Sequence, residues 1–489
     1  MRNGNALILG GLGISATIES AIINGGVGGG SLIKTGAGTL TLTSSNNTYN
    51  LGTTINGGTL DLASFGVLPP LTPLNINAAG STFMISNLIP ASSSIGDLTA
   101  VPGSSIFLGN KELIVNSSTI TTCASQITGT GGTLTKQGSG TLILAGANSY
   151  SGGTNILDGT LQGDSTSLQG EIFNDAILTF NQTADGTFNG FFLGSGNINK
   201  NGAGTLNLVN ESSAFGGTTS INQGKLTVNT ILGGNVAVMA AGILSGNATI
   251  GNQLTVDGIV SPGNSIGTIV VNGNYLQNAG STYNVQINGQ GQSSLLDIVG
   301  TATLNPGAGV NFVSLDGSVN PDVTYLILHA DGGLTGTYSN VTSSNLMIVP
   351  SLFYDPNNVF ANFKRSFVVV TATRNQREVA LQLESIVNPD PAEEALLTAI
   401  TNLSIPEAQK VLDELSAQQY TNLLMTSELA NRQFIRRMFN AIRPSLVYNP
   451  CACTCDYLGQ YNVWVEGGYG MDQYKKKIRS VVLKISTLM

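Results

Sequence analysis

The chain has 489 residues, 62 of them Gly and only 10% charged, with 41% hydrophobic residues and a formal net charge of −8. Ordinary proteins carry roughly 7% Gly and about 25% charged residues. Disorder is excluded by the apolar content, collagen by the absence of a Gly-X-Y period, and nucleic acid or anionic lipid as the main partner by the acidic balance.

The apolar run from Ala6 to Ile14 is broken by Gly10, Gly11 and Gly13, which makes a poor export signal. It is read as a strand inside a repeat, so the true start is expected upstream. Three segments then align: Lys34 to Leu42 (KTGAGTLTL), Lys136 to Leu144 (KQGSGTLIL) and Lys200 to Leu208 (KNGAGTLNL). An aromatic follows each (Tyr49, Tyr150, Phe215), then a Gly turn and a strand ending near Leu60, Leu161 or Leu226. No unit of this size buries its own apolar face. Stacked coils would line one core and pass backbone hydrogen bonds from rung to rung, with Asn and Thr forming side-chain ladders. The pattern predicts a parallel β-solenoid of roughly 20 to 25 residues per coil.

From Asn252 onward the strands are expected to be longer and joined by true turns, with Arg377 to Leu383 as the closing strand. Beyond Pro391 the period becomes helical. Ala392 to Leu403 reads as one helix, Ser404-Ile405-Pro406-Glu407 as a capping box opening the next, and 418–443 as a longer one bearing Arg432, Arg436, Arg437 and Arg443. Residues 1–362 hold 6 Lys+Arg and 16 Asp+Glu, and 363–489 hold 14 and 12, so composition changes at the same region. No stretch reaches the roughly 18 apolar residues of a membrane-spanning helix.

The three units resemble the passenger-associated transport repeats of type V autotransporters. Ser261 to Thr268 (SPGNSIGT) is similar to the signature that opens the family's C-terminal passenger region, Val411 to Ser416 resembles its linker helix, and Val463 to Gly470 (VWVEGGYG) resembles its first outer-membrane barrel strand. The resemblance implies export through an outer-membrane translocator barrel without an external energy source, with stacking of the region 252–385 drawing the chain outward. A barrel of about twelve strands needs well over 200 residues, and 27 remain from Val463. The barrel is therefore expected to be truncated here, by fragmentation or by a frame slip near Lys475 to Lys477, or to come from another chain.

Local motifs with catalytic form are weak. Gly263 to Gly267 matches the G-x-S-x-G elbow around Ser265, which requires a following helix. Gly163-Asp164-Ser165 resembles the serine context of trypsin-like passengers. Either serine would need the single histidine, His329, oriented by Asp297 or Asp331; His329 is read instead as a solvated turn residue after the strand Tyr325 to Leu328. Cys451, Cys453 and Cys455 lack zinc spacing and read as an oxidised segment or as incidental surface cysteines. The Gly26 to Gly30 cluster is a turn, and the arginines from Arg432 to Arg443 read equally as pore lining or as a wet helix face.

The expected fold is all-β: a right-handed parallel β-solenoid passenger over 1–251, an autochaperone-like region over 252–387, a helical linker over 388–443 and a truncated barrel start over 444–489. No catalytic, cofactor-binding or metal residue is assigned. The expected role is a secreted or surface-displayed structural or adhesive passenger, meeting host or neighbouring cells through weak multivalent contacts. The alternatives are a polysaccharide-acting solenoid enzyme and a non-functional fragment of a split gene.

Overall fold

The structure, a computed structural model, describes residues 6–416 apart from 12, 25–28, 316–318 and 321–322, together with 429–430, 432–434 and 436–437. The expected barrel start, the cysteines 451, 453 and 455, Arg443, the Gly26 to Gly28 part of the glycine cluster and most of the helix 418–443 lie outside the described residues.

Short strands with an alternating inward and outward pattern stack in parallel from one coil to the next. On one face Ala6–Leu9 pairs with Ser31–Lys34, then Thr53–Ile55, Leu74–Ile76 and Leu98–Ala100 follow in register. The ladder continues by parallel pairing as far as Leu334–Gly336. Alternation explains the inward set: in Ser31–Lys34 and Thr39–Leu42 every second residue is buried. Leu32, Leu74, Leu98, Leu142, Leu161, Val256 and Ile298, among many others, form one continuous core. Each fully buried aliphatic contributes about 1.5–3 kcal/mol, and no single coil provides enough of them alone.

Coil length varies more than the sequence suggested, from 16 residues where Ile243 pairs with Ile259 to 32 where Ala302 pairs with Leu334. The cause is loop length at the corners, since the parallel pairing keeps its register apart from single irregularities such as that between Asp61 and Ala63. Two long strands, Thr218–Val228 and Asn235–Gly246, turn a corner and pair on two faces at once, with a register shift between Ile221 and Gln223. Pairing runs across 251–252 without interruption, as Val236 meets Leu254 and Ile243 meets Ile259. The expected polar ladders are present. Asn278 Nδ2 donates to Asp257 Oδ1 at 2.7 Å and Asn305 Nδ2 to Asn278 Oδ1 at 2.8 Å, while Asn311 Nδ2 donates to Asn284 Oδ1 at 3.2 Å.

Parallel stacking stops at the C-terminal end, where Tyr325–Ala330 pairs antiparallel with Asn358–Arg365, which in turn pairs antiparallel with Ile348–Tyr354. Within the described residues up to 416, three α-helices follow: α1 (Arg374–Glu384), α2 (Pro391–Thr401) and α3 (Ile405–Leu415). The strand expected at Arg377 to Leu383 is therefore α1. Its apolar residues Val379, Leu381 and Leu383 fit a two-residue period, but Gln376 and Ala380 are the buried pair, one helical turn apart, and Leu381 is exposed. Thr373 starts the helix: Gln376 N–H donates to its Oγ1 at 3.2 Å, and its own N–H donates to Gln376 Oε1 at 3.1 Å. In α3, Glu407 Oε2 accepts from both the N–H and the hydroxyl of Ser404, at 3.0 and 2.6 Å. The helices share a small core of Met347, Phe367, Val370, Ala380, Leu397, Ile400, Ala408 and Leu412.

Candidate functional site

The motif Lys-x-Gly-x-Gly-Thr-Leu gains its meaning from where the lysine points. Lys34, Lys136 and Lys200 occupy inward positions, 3%, 0% and 0% exposed. Each ammonium is held by three backbone carbonyls. Lys34 Nζ donates to Thr35, Gly36 and Gly57 O at 2.9, 2.8 and 2.9 Å. Lys136 Nζ donates to Gln137, Gly138 and Asp158 O at 2.8, 2.6 and 3.1 Å, and Lys200 Nζ to Asn201, Gly202 and Gln223 O at 3.2, 2.9 and 2.9 Å. Two carbonyls belong to the lysine's own turn and the third to the coil after it. An ammonium has three donors and no acceptor, so the cage uses its full capacity. Burial lowers the basicity of all three lysines, partly countered at Lys136 by Asp158 and Asp97 and at Lys200 by Asp185.

The glycines make the cage possible. Gly36 and Gly58 have φ of 71° and 65°, and a Cβ on Gly58 would lie 2.3 Å from Gly38 O and 2.5 Å from Gly36 O. Successive turns therefore stack backbone on backbone, converging carbonyls on one point.

A second joint lies at the aromatic corner. Tyr49 and Tyr150 are buried, and their hydroxyls pair with Thr53 Oγ1 at 2.7 Å and Thr154 Oγ1 at 2.8 Å. Two residues earlier, Asn47 Oδ1 accepts from Ile22 N–H while Nδ2 donates to Val67 O, both at 2.8 Å, clamping the coils before and after. Asn148 does the same between Ile127 and Ser167, at 2.8 and 2.7 Å. In the third unit Phe215 replaces the tyrosine, and Thr219 Oγ1 is buried with no partner. Phe215 packs instead against Phe192, centroids 6.3 Å apart, which continues a ring stack with Phe188 at 5.0 Å.

These roles were missed in the sequence, although parity offered a signal: Leu32 and Lys34, Leu134 and Lys136, and Ile198 and Lys200 share one side of their strands. The repeats also do not occupy one face. Lys34 and Lys200 lie in the large sheet, whereas Lys136 lies in the sheet built from Ser92–Ile95, Glu112–Asn116, Thr133–Gln137 and their neighbours.

The catalytic candidates do not assemble. The loop after Ile259–Pro262 that carries Ser265 leads into the strand Thr268–Val271, not a helix. Ser165 Oγ accepts from Gln182 Nε2 at 3.0 Å. His329 lies within the strand Tyr325–Ala330 rather than after it, which corrects the turn reading. Its Nδ1 faces Asn358 Oδ1 at 2.7 Å and its Nε2 faces Asp331 Oδ1 at 3.1 Å, with Asp297 beside it in register on the neighbouring strand. The histidine thus meets both expected acids, but both ring nitrogens are engaged and neither serine is among their partners. Burial pushes the Cys123 thiol up to about 12. Arg432, Arg436 and Arg437 fall on helical residues.

The sequence pattern of the passenger-associated-transport-repeat family matches residues 32–62, 134–162 and 198–228, the segments that carry the three lysine cages. Two extracellular serine proteases of Serratia marcescens are similar to this chain. One is 33% identical over 231 residues and the other 30% over 232, each match covering 44% of this chain and 21% or 22% of the relative. The adhesin BmaC autotransporter of Brucella suis biovar 1 (strain 1330) is 32% identical over 225 residues, 41% of this chain and 6% of its own length. The chain thus spans about a fifth of the length of the two proteases. Matched repeats, stacked parallel coils and these relatives together make the chain a parallel β-solenoid bearing passenger-associated-transport repeats, similar to parts of secreted and autotransporter proteins.

Proposed function

We infer that this chain is displayed at the cell surface or secreted, exported through an outer-membrane translocator barrel, and that it serves there as a non-enzymatic structural or adhesive solenoid. The observation that carries the reading is the outward row of the long face: Thr54, Asn75, Thr99, Thr122 and Ile143 succeed one another in register, with Thr255, Leu276 and Thr303 continuing it further on. None of these side chains is charged. Spaced at about 4.8 Å, such a row offers many weak, uncharged contacts rather than one pocket. The chain's low charge and the single buried Cys123 among the described residues suit threading through a narrow pore, and the cap of hairpin and helices supplies a folded end on which coils can stack.

The test fuses the chain to a translocator barrel and follows surface exposure and cell adhesion. Proline at Val285 or Ile287, both fully buried in a central strand, should abolish display far more than proline at Ile55, because the C-terminal coils template the others. Equal losses would contradict the export reading, and display without adhesion would leave a structural role alone. The names of the Serratia relatives favour a second reading, a non-catalytic stalk carried by a secreted protease. On either reading the purified chain should not be labelled by a fluorophosphonate serine probe. Labelling would establish an enzyme.

A further inference from the structure

The closing turn of the solenoid holds a polar relay that the display function does not use. Asp355, in the turn between the last two strands, accepts from the N–H groups of Asn357 and Asn358 at 2.8 and 2.7 Å. It also accepts from Asn358 Nδ2 on both carboxylate oxygens, at 3.0 and 2.9 Å. That fixes the amide: its nitrogen faces the carboxylate, so its oxygen must face His329 Nδ1. An oxygen there requires Nδ1 to carry a proton. On the other side of the ring Nε2 faces the carboxylate of Asp331, which also only accepts. The network Asp331–His329–Asn358–Asp355 is therefore fully satisfied only when both ring nitrogens are protonated, as the imidazolium.

We propose that His329 is an acid-set latch: its protonation fastens the closing hairpin turn onto the last parallel strand, and its deprotonation loosens that turn. The groups facing the ring support one sign. Asp297 sits on the preceding strand, Asp331 at the end of the histidine's own strand, and Asp355 in the hairpin turn. On the opposing strand the partner is neutral Asn358, while Lys364 and Arg365 lie at its far end, paired with Val349 and Ile348. The Asn358 hydrogen bond chiefly, helped by that of Asp331 and by the charges of Asp297 and Asp331, raises the histidine above its usual 6.5 against a burial penalty that outweighs the Asp331 hydrogen bond alone. Because the folded value exceeds the unfolded one, the stabilisation is complete below about pH 6.5 and is lost as pH rises through the folded value. The ring is one-third exposed, so protons reach it without unfolding. Backbone bonds of the same turn, such as Ala330 N–H to Asn357 O at 2.8 Å, are the ones the latch protects.

The experiment uses the full chain. Imidazole NMR of His329, the single histidine, should titrate with a midpoint above 6.5, and Asp331→Asn should shift that midpoint down. Hydrogen exchange at Ala330, Asn357 and Asn358, corrected for the intrinsic pH dependence, should show protection lost across the same midpoint in the wild type. His329→Gln should remove the pH dependence while leaving the Val310–Val341 rung unchanged. A midpoint at or below 6.5, or a pH profile at the turn identical in His329→Gln, would overturn the proposal. The NMR midpoint decides even if the glutamine variant fails to fold.

Discussion

Replacing Lys136 by Met keeps the inward apolar stem and deletes the ammonium. The carbonyls of Gln137, Gly138 and Asp158 then lose the ammonium inside a site with no exposed lysine surface, and Gln137 O alone keeps a second donor, the Ser117 N–H at 2.9 Å. Hydrogen bonds to a charged group contribute about 1.5–3 kcal/mol each, a gross loss of roughly 5–9. The several kcal/mol it costs to strip water from an ammonium are recovered in the variant, whereas each buried carbonyl left unpaired costs about 1–3 kcal/mol, or about 2–6 kcal/mol for those of Gly138 and Asp158. That is the net loss expected for Lys136→Met. In a stack where each coil touches only its neighbours, the damage should be local. Amides that bridge the two turns, Leu157 N–H to Lys136 O and Thr160 N–H to Gly140 O, should lose protection in hydrogen exchange, while the Val285–Phe312 rung keeps its own. Lys410→Met serves as control, since that side chain is 79% exposed, and should change stability by under about 0.5 kcal/mol. If Lys136→Met matched the control in urea unfolding and in local exchange, the cage would be an ornament of the turn rather than its fastening.

The Phe215→Tyr variant should be stabilised by about 0.5–1.5 kcal/mol as its hydroxyl reaches the orphaned Thr219, with Tyr150→Phe losing at least as much; thermal melts of the pair check the sign. Gly58→Ala should cost well over 1 kcal/mol, given its φ of 65° and the 2.3 Å approach to Gly38 O, whereas alanine at Gly80, also at positive φ but with open space around its Cβ position, should cost less in the same denaturant assay. Arg365 hydrogen-bonds Glu394 and holds its carboxyl below the usual 4.5, so this contribution is present above about 4.5 and lost as pH falls through the lowered value. Near-neutral to acid melts followed by exchange at the cap should therefore show acid loosening that Glu394→Gln removes.

The alternation of Thr39–Leu42 is visible in the sequence because outward threonines separate inward leucines, and the repeat itself shows that no unit stands alone. Ser404 to Glu407 reads correctly because a capping box is a contact between residues three apart. Arg377 to Leu383 misleads because three apolar residues at alternate positions satisfy a strand pattern, while the decisive facts, a cap at Thr373 and a packing surface formed by Val370 and Leu412, lie outside the window. Lys34 is hidden for a different reason: composition assigns lysine to solvent, and only the position of a carbonyl 23 residues onward, on Gly57, makes its burial affordable. His329 reads as a turn residue in the sequence because its strand is extended by pairing with Asn358, 29 residues away.

Why the motif spans more than one coil follows from this cage. A matched repeat such as 32–62 is longer than the 21-residue step from Leu32 to Thr53, because it must include the lysine of one coil and the glycine turn of the following one. What recurs is a joint between rungs, and a joint works equally on any face, which is why Lys136 sits in a different sheet from Lys34 and Lys200. The columns below the lysines show the same need met more weakly. Following the register from Lys200 through Ile221, Val238 and Val256 leads to Gln277, whose buried Nε2 donates to Gly309 O in the coil beyond at 2.8 Å. From Lys136 through Ile156 the column reaches Asn174, whose Nδ2 donates to Asn197 O at 3.0 Å. An amide has two donors where an ammonium has three. The buried ammonium groups, of Lys34, Lys136 and Lys200, thus sit where two glycine turns bring three carbonyls together, while a lysine without such a cage, such as Lys410, stays in solvent.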